Sequence, residues 1–290
     1  MSRQAKAVKQ LRELLNSDKF IIMPCCYDGL SAKLTGQSGF EVTFMSGFGV
    51  SAARLGLPDT GLISYAEMAD QAQNVCNATD IPVICDGDTG YGNPVNIKRT
   101  VHGYIRAGAA GIMIEDQVSP KRCGHTRGKA VVDRDTAFNR IKAATEARNE
   151  ARQNNEDIVL MARTDALATL GLDEALFRAE TFINLGADII FVEAPRNKKE
   201  MKIIAKLGGC QMANIVEHGV TPVLPPKELA SMGYRIAAYP LTLLSAATYA
   251  MKKALDCLKK GEIPEEILEF TELQSIVGFP EYDKTLKRLS

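Results

Sequence analysis

The chain has 290 residues, 46% apolar and 24% charged, without tryptophan. That suits one large α/β barrel or two average domains around a sizeable core. Lys+Arg and Asp+Glu balance at 35 each, so net charge argues for neither nucleic acid nor an anionic membrane as partner.

In chain order, Met1 to Lys19 is polar and has no apolar signal core. No apolar run approaches the ~18 residues that span a bilayer. The seven cysteines form no CxxC, and an odd number fits disulfide pairing poorly. They read as reduced thiols, and the expected location is the cytoplasm, or an organelle matrix.

Short apolar runs then recur at 20–24 (FIIMP), 42–46 (VTFMS), 82–86 (PVICD), 111–115 (GIMIE), 158–162 (IVLMA), 188–193 (DIIFVE), 211–215 (QMANI) and 235–240 (RIAAYP). Continuous runs of this kind suit strands buried on both faces of a parallel sheet. Segments of helical period lie between them, such as SYAEMADQAQNVCNAT and DEALFRAETFINLGA. RAGAAGIMIED and NLGADIIFVEA are nearly the same phrase twice, with Gly where a helix takes its left-handed cap. Repeated units of this type predict an α/β fold, a (β/α)8 TIM barrel. An open doubly wound sheet is the alternative.

The residues after each run are polar: Tyr27 and Asp28, Ser46 and Gly47, Asp86 and Asp88, Glu115 and Asp116, Arg163 and Asp165, Glu193, Asn214, Tyr239 and Pro240. Barrel active sites lie at the carboxyl ends of the strands, so these ends converge on one mouth. In VICDGDTGYGN, an apolar strand empties into two aspartates, and glycines let the backbone turn there. Asp86, Asp88, Glu115 and Asp59 would crowd like charges together. An all-oxygen set favours Mg²⁺ or Mn²⁺ over zinc. The bland reading is helix caps and salt bridges. An EF-hand fails, because position twelve counted from Asp86 is Ile97, and GDTGYG does not match GxGxxG.

The stretch SPKRCGHTRGKAVV, 119–132, is too polar and Gly-rich for a helix. It gathers Lys121, Arg122, Cys123, His125, Arg127 and Lys129. One reading is a mobile loop with an acid/base thiol of depressed pKa and cations for a carboxylate substrate. The other is a solvated basic loop with an incidental cysteine. His125 reads as proton carrier, hydrogen-bond donor or solvated side chain. Arg163, ending a strand in MARTDA, is a salt-bridge partner or a carboxylate clamp.

Together MSGFGVSAARLGLPDTG, DGDTGYGN, IEDQ, KRCGH, MARTDA, FVEAP, MANIVEHG and AAYPL resemble the isocitrate lyase / phosphoenolpyruvate mutase superfamily over nearly the whole chain. KRCGH is the mark of its carbon–carbon lyase branch. The short chain resembles the 2-methylisocitrate lyases and the 2,3-dimethylmalate lyase / petal death protein group. TRGK after CGH, and Phe270 where methylisocitrate lyases carry an Arg, point to a dicarboxylate. Pro240 matches the lyases, where dedicated oxaloacetases tend to have Ser.

The resemblance implies roles. Asp86 would bind Mg²⁺ directly, and Asp59, Asp88 and Glu115 mainly through water. Ser46, Gly47 and Phe48 would cradle the α-keto carboxylate. Arg163 would touch the substrate oxygens, and Tyr27, Lys121, Gly124, Glu193, Asn214 and Pro240 would line the site. Cys123 would be the general acid, with His125 and Arg163 beside it. Tyr27 and Glu115 are candidates for the base. The implied reaction is retro-aldol (Claisen-type) cleavage of a 2-hydroxy dicarboxylate, 2,3-dimethylmalate to pyruvate and propionate. Alternatives are 2-methylisocitrate cleavage, oxaloacetate hydrolysis, or a non-catalytic carboxylate-binding protein. The resemblance also implies one barrel domain in a homotetramer, its C-terminal helices from about 240 exchanged between paired subunits.

Overall fold

The computed structural model describes residues 2–123 and 128–290. Eight parallel strands close into one barrel: β1 Ile21–Cys26, β2 Thr43–Met45, β3 Val83–Asp86, β4 Gly111–Glu115, β5 Val159–Thr164, β6 Ile189–Val192, β7 Cys210–Asn214 and β8 Ile236–Tyr239. β1 pairs with β8 from Ile21↔Ile236 to Pro24↔Tyr239, which rules out the open sheet. Each strand overlaps a run read from the sequence, because strands buried on both faces are apolar throughout. β1 and β5 continue two residues past their runs, and β7 starts one residue before its own.

Helices fill the crossovers. Tyr65–Ala78 starts at a capping box of Ser64 with Glu67. Pro94–Ala107 starts at Asn93, carries Pro at its first position and ends at Gly108 (φ 97). Helices and strands share one apolar layer, including Met68, Tyr104, Ile112, Ile141 and Phe182. A second apolar cluster fills the barrel interior, with Met23, Ile84, Met161 and Ile236. The N-terminal helix Arg3–Asn16 adds Val8 and Leu11 to it, closing the amino-terminal end.

The chain divides into two compact units, Met1–Leu243 and Leu244–Ser290. The second holds most of the helix Thr242–Lys259 and the helices Phe270–Val277 and Phe279–Leu289. None of its side chains is buried, and Leu255 and Phe270 are 64% and 71% exposed. Among the described residues no helix is long and apolar enough to cross a membrane.

Candidate active site

Successive side chains of a strand point to opposite sides, so every second residue faces the barrel interior. Ile84, Met113, Met161, Phe191 and Met212 do so from β3 to β7. Two residues further along stand Asp86, Glu115, Arg163, Glu193 and Asn214. Phe44 is followed in the same way by Ser46, and Ala238 by Pro240. The polar ring is the top layer of a packed core.

A cavity of about 80 Å³ opens there. That volume holds roughly half a dozen waters, the scale of a small molecule. Ser46, Phe48, Asp59, Asp86, Cys123, Arg163, Glu193, Asn214 and Pro240 line it, all expected from the sequence. Its apolar part is Cys25, Phe44, Met113, Phe191, Met212, Val216, Ala238 and Leu241, none of which the sequence reading assigned. Their parity within each strand was the available signal.

The DGD segment continues the sheet. Gly87 N donates to Met113 O at 2.9 Å, and Glu115 N donates to Asp88 O at 2.9 Å. A Cβ on Gly87 would lie 2.6 Å from Met113 O, so only glycine allows this approach. Asp88 then takes a left-handed backbone (φ 47) and lies beside Glu115. Asp86 Oδ1 accepts from Asp88 N at 3.0 Å, and Oδ2 accepts from Gly47 N at 3.1 Å. A Cβ on Gly47 would meet that carboxylate at 2.6 Å. Gly47 therefore orients Asp86, while Ser46 and Phe48 face the cavity.

Asp59, Asp86, Asp88 and Glu115 are all buried. The Lys121 ammonium, equally buried, lies 2.5 Å from Asp59 Oδ1 and 2.9 Å from Asp88 Oδ1. These are ion pairs outside hydrogen-bond geometry. Burial, then Asp88, pushes Asp86 up to about 6, with Lys121 opposing. Burial also holds the Glu115 carboxyl well above its usual range, against Arg163 and Lys121. Burial disfavours the Lys121 cation, but Asp88, Asp86 and Asp59 prevail and raise it. Buried Glu115 Oε1 has no hydrogen-bond partner among the described residues. Among the described residues, the acidic oxygens of this cluster thus outnumber the donors shown to reach them.

Arg163 is ion-paired, the first of the alternatives the sequence left open, and it also lines the cavity. Asp165 takes its Nε at 2.9 Å and its Nη2 at 3.1 Å. Glu115 and Glu193 each lie 3.3 Å from it. Asp165 also accepts from the buried Lys129 at 3.0 Å. Its N–H donates to Asp116, which Thr164 and Arg178 hold at 2.6 and 3.0 Å. This supporting layer was not assigned from the sequence, although Asp116 and Asp165 follow their strands directly.

Around the 119–132 stretch, Val118 N donates to Ala130 O at 2.8 Å and Val132 N to Asp116 O at 2.9 Å. Its two ends are therefore paired. Cys123 is half-buried at the cavity, and Lys121 turns to the acids rather than lining it. Tyr27 packs over Gly49 and is not among the lining residues. Gly124 and His125 lie outside the described residues.

Comparison with known proteins places this geometry. The family model described as phosphoenolpyruvate phosphomutase matches residues 11–259. The chain is 42% identical to the 2,3-dimethylmalate lyase of Eubacterium barkeri, covering 93% of each chain. It is 36% identical to a 2-methylisocitrate lyase of Aeropyrum pernix, over 94% of this chain and 88% of that one. Among solved structures, an oxaloacetate acetylhydrolase bound to 3,3-difluorooxalacetate superposes with TM-score 0.91 at 37% identity, covering 97% of this chain and 96% of the other. A phosphonopyruvate hydrolase bound to oxalate and Mg²⁺ superposes with TM-score 0.85 at 27% identity, covering 99% of each.

Proposed function

The chain belongs to the isocitrate lyase / phosphoenolpyruvate mutase superfamily and is a carbon–carbon lyase within it; on that premise we propose that it cleaves 2,3-dimethylmalate to pyruvate and propionate with Mg²⁺ bound. One observation carries the reading. A single cavity brings together Asp59 and Asp86 of the acid cluster, Arg163 and Cys123 over an apolar lining of Phe44, Phe191 and Met212.

The residues fit a hard cation. The donors are carboxylate oxygens, they are buried, and Glu115 Oε1 lacks a partner. Among the described residues no three acids close on one point. Asp86 would hold the ion directly, and Asp59, Asp88 and Glu115 through its water. Mn²⁺ has the same oxygen preference. Bound there, Mg²⁺ supplies Lewis-acid polarisation that lowers the pKa of the substrate hydroxyl.

The chain's own residues do the rest. The Ser46 hydroxyl and Phe48 receive the carboxylate beside the 2-hydroxyl, and Asn214 and Glu193 complete the polar lining. Arg163, fixed by three carboxylates, presents a pre-oriented cation to the substrate oxygens. A base, for which Tyr27 and Glu115 are the candidates, takes the C2 hydroxyl proton. The oxygen's electron pair closes the C2=O bond of pyruvate as the C2–C3 bond breaks, and the C2–C3 electron pair goes to C3 and the attached carboxylate. The Cys123 thiol gives its proton to C3, and propionate leaves.

The apolar lining suits methyl substituents. Among the described lining residues the cation is Arg163 alone, which disfavours a third carboxylate and hence 2-methylisocitrate. Phe270 in place of an Arg agrees with that choice, and Pro240 argues against a dedicated oxaloacetate hydrolase. The buried thiols Cys25, Cys26, Cys76 and Cys85 suit the reducing cytoplasm. The exposed apolar side chains of 244–290 suit a helix exchange between subunits of a tetramer.

The test is pyruvate release with Mg²⁺ from 2,3-dimethylmalate, 2-methylisocitrate and oxaloacetate side by side. For oxaloacetate, oxalate and acetate are followed instead. The first should react at least about tenfold faster, a one-pocket discrimination. Chelation should abolish the reaction and Mg²⁺ restore it. Faster cleavage of 2-methylisocitrate would sink the dicarboxylate assignment, and indifference to chelation would sink the metal.

A further inference from the structure

Gln117 follows β4 by two residues and is 1% exposed. Its side-chain amide is engaged at both atoms by one residue. Nε2 donates to Arg122 O at 2.9 Å, and Oε1 accepts from Arg122 N at 3.0 Å. The amide thus pairs with Arg122 as a neighbouring strand would. Gln117 is itself anchored. Its backbone bridges antiparallel to Val131, and its carbonyl accepts from Arg140 Nη1 at 2.7 Å. Arg140, on the helix Arg134–Gln153, also holds Glu115 O at 2.9 Å.

Arg122 stands between two site residues. Lys121 on one side carries the ammonium between Asp59 and Asp88, and Cys123 on the other lines the cavity. Fixing both polar atoms of Arg122's backbone fixes the exit direction of the chain into each. We propose that Gln117 is a positioning residue for Cys123, acting through the Arg122 backbone. The proposal builds on the lyase reading, in which Cys123 is the proton donor. Glutamine is required because one planar group must offer a donor and an acceptor together. Glutamate keeps the acceptor and loses the donor, and leucine of similar length loses both.

The experiment compares Gln117→Leu and Gln117→Glu with wild type, as full-length Mg²⁺-loaded protein, in steady-state kinetics and in alkylation of Cys123. In the alkylation by iodoacetamide the Cys123 sulfur displaces iodide and forms a thioether, followed by peptide mass spectrometry. Gln117→Leu should lose kcat on the order of 10²-fold, as an ångström-scale misplacement does, with KM within ~3-fold. Gln117→Glu should fall between it and wild type. Cys123 should alkylate several-fold faster in both, because the thiol is no longer held in place. If Gln117→Leu does not fold by circular dichroism, Gln117→Glu decides. Wild-type alkylation in a folded variant overturns the proposal, whatever happens to kcat. A Cys123→Ser enzyme as fast as wild type would remove the proton-donor reading, while altered alkylation in the Gln117 variants would still establish the clamp.

Discussion

Both ends of the barrel set carboxylates beside cations, with opposite results. At the amino-terminal end, Asp157 and Asp188 stand just before β5 and β6. Arg12 of the N-terminal helix reaches both, at 2.6 and 3.1 Å. Arg152 adds a contact to Asp157 at 2.9 Å and Arg148 one to Asp188 at 3.0 Å. Ile158 N and Leu160 N also donate to them, each at 2.8 Å. Burial opposes the Asp157 carboxylate, but the bonds from Arg12 and Arg152 prevail and hold its pKa below the usual value. At the mouth the balance reverses, and burial leaves Asp86 and Glu115 raised. The same residue types make a closed structural cluster where cations are in excess. Where acids are in excess they make a site that an added cation completes.

The largest effect should come from breaking the mouth. Asp86→Asn removes the carboxylate that Gly47 and Asp88 orient. Pyruvate release should fall on the order of 10³-fold, and Mg²⁺ binding by calorimetry should weaken with it. The melting temperature should stay within a few degrees of wild type. If the variant keeps its activity or unfolds, the contrast between the two ends is wrong.

A smaller effect should appear in pH dependence. Asp86 sits at about 6 in the folded chain against 3.8 in a model compound. A raised folded pKa means that proton uptake favours the fold. That stability is fully present below 3.8 and is lost as pH rises through about 6. The difference corresponds to roughly 3 kcal/mol. Asp157 has the opposite sign, and its contribution is lost only as pH falls below the ordinary carboxylate range. Chelated protein should therefore grow more stable to urea between pH 7 and 5. Asp86→Asn should flatten that slope, and saturating Mg²⁺ should weaken it. A wild-type slope in the variant would place the acid-linked group elsewhere.

Of the two ends, the mouth was legible in the sequence and the closed end was not. Parallel strands buried on both faces declare themselves as apolar runs, and the polar residue after each run marks the mouth. That is why β3 and the DGD turn, or β5 and Arg163, were legible. Closure of the barrel was an inference from repetition, because nothing local states that β1 pairs with β8. The apolar lining was hidden, because Phe44 or Met212 facing a cavity looks like Phe or Met in any core. Lys129 with Asp165 was hidden because the two are 36 residues apart. Gln117 with Arg122 is only five apart, yet the bond goes to backbone, which leaves no mark on the identity of residue 122. Lys121 was legible as part of a basic stretch but not in direction: it turns to Asp59 and Asp88.

The smallest effect should come from the closed end, and it sharpens the comparison most. Asp157→Asn keeps an oxygen for Ile158 N but loses the charge-assisted bonds from Arg12 and Arg152. Asp157 is a quarter exposed, so solvent replaces part of what is lost. The expected cost is about 1–2 kcal/mol, below that of a fully buried pair. It should appear as a lower urea midpoint, with kcat and KM for the lyase reaction unchanged. The cluster lies across the packed apolar interior from the cavity, and among the described residues no titratable group is shared between them. A fall in kcat at undiminished stability would mean that the two ends are coupled through the strands β5 and β6 they share. The carboxylates at the amino-terminal end would then belong to the site rather than to its scaffold.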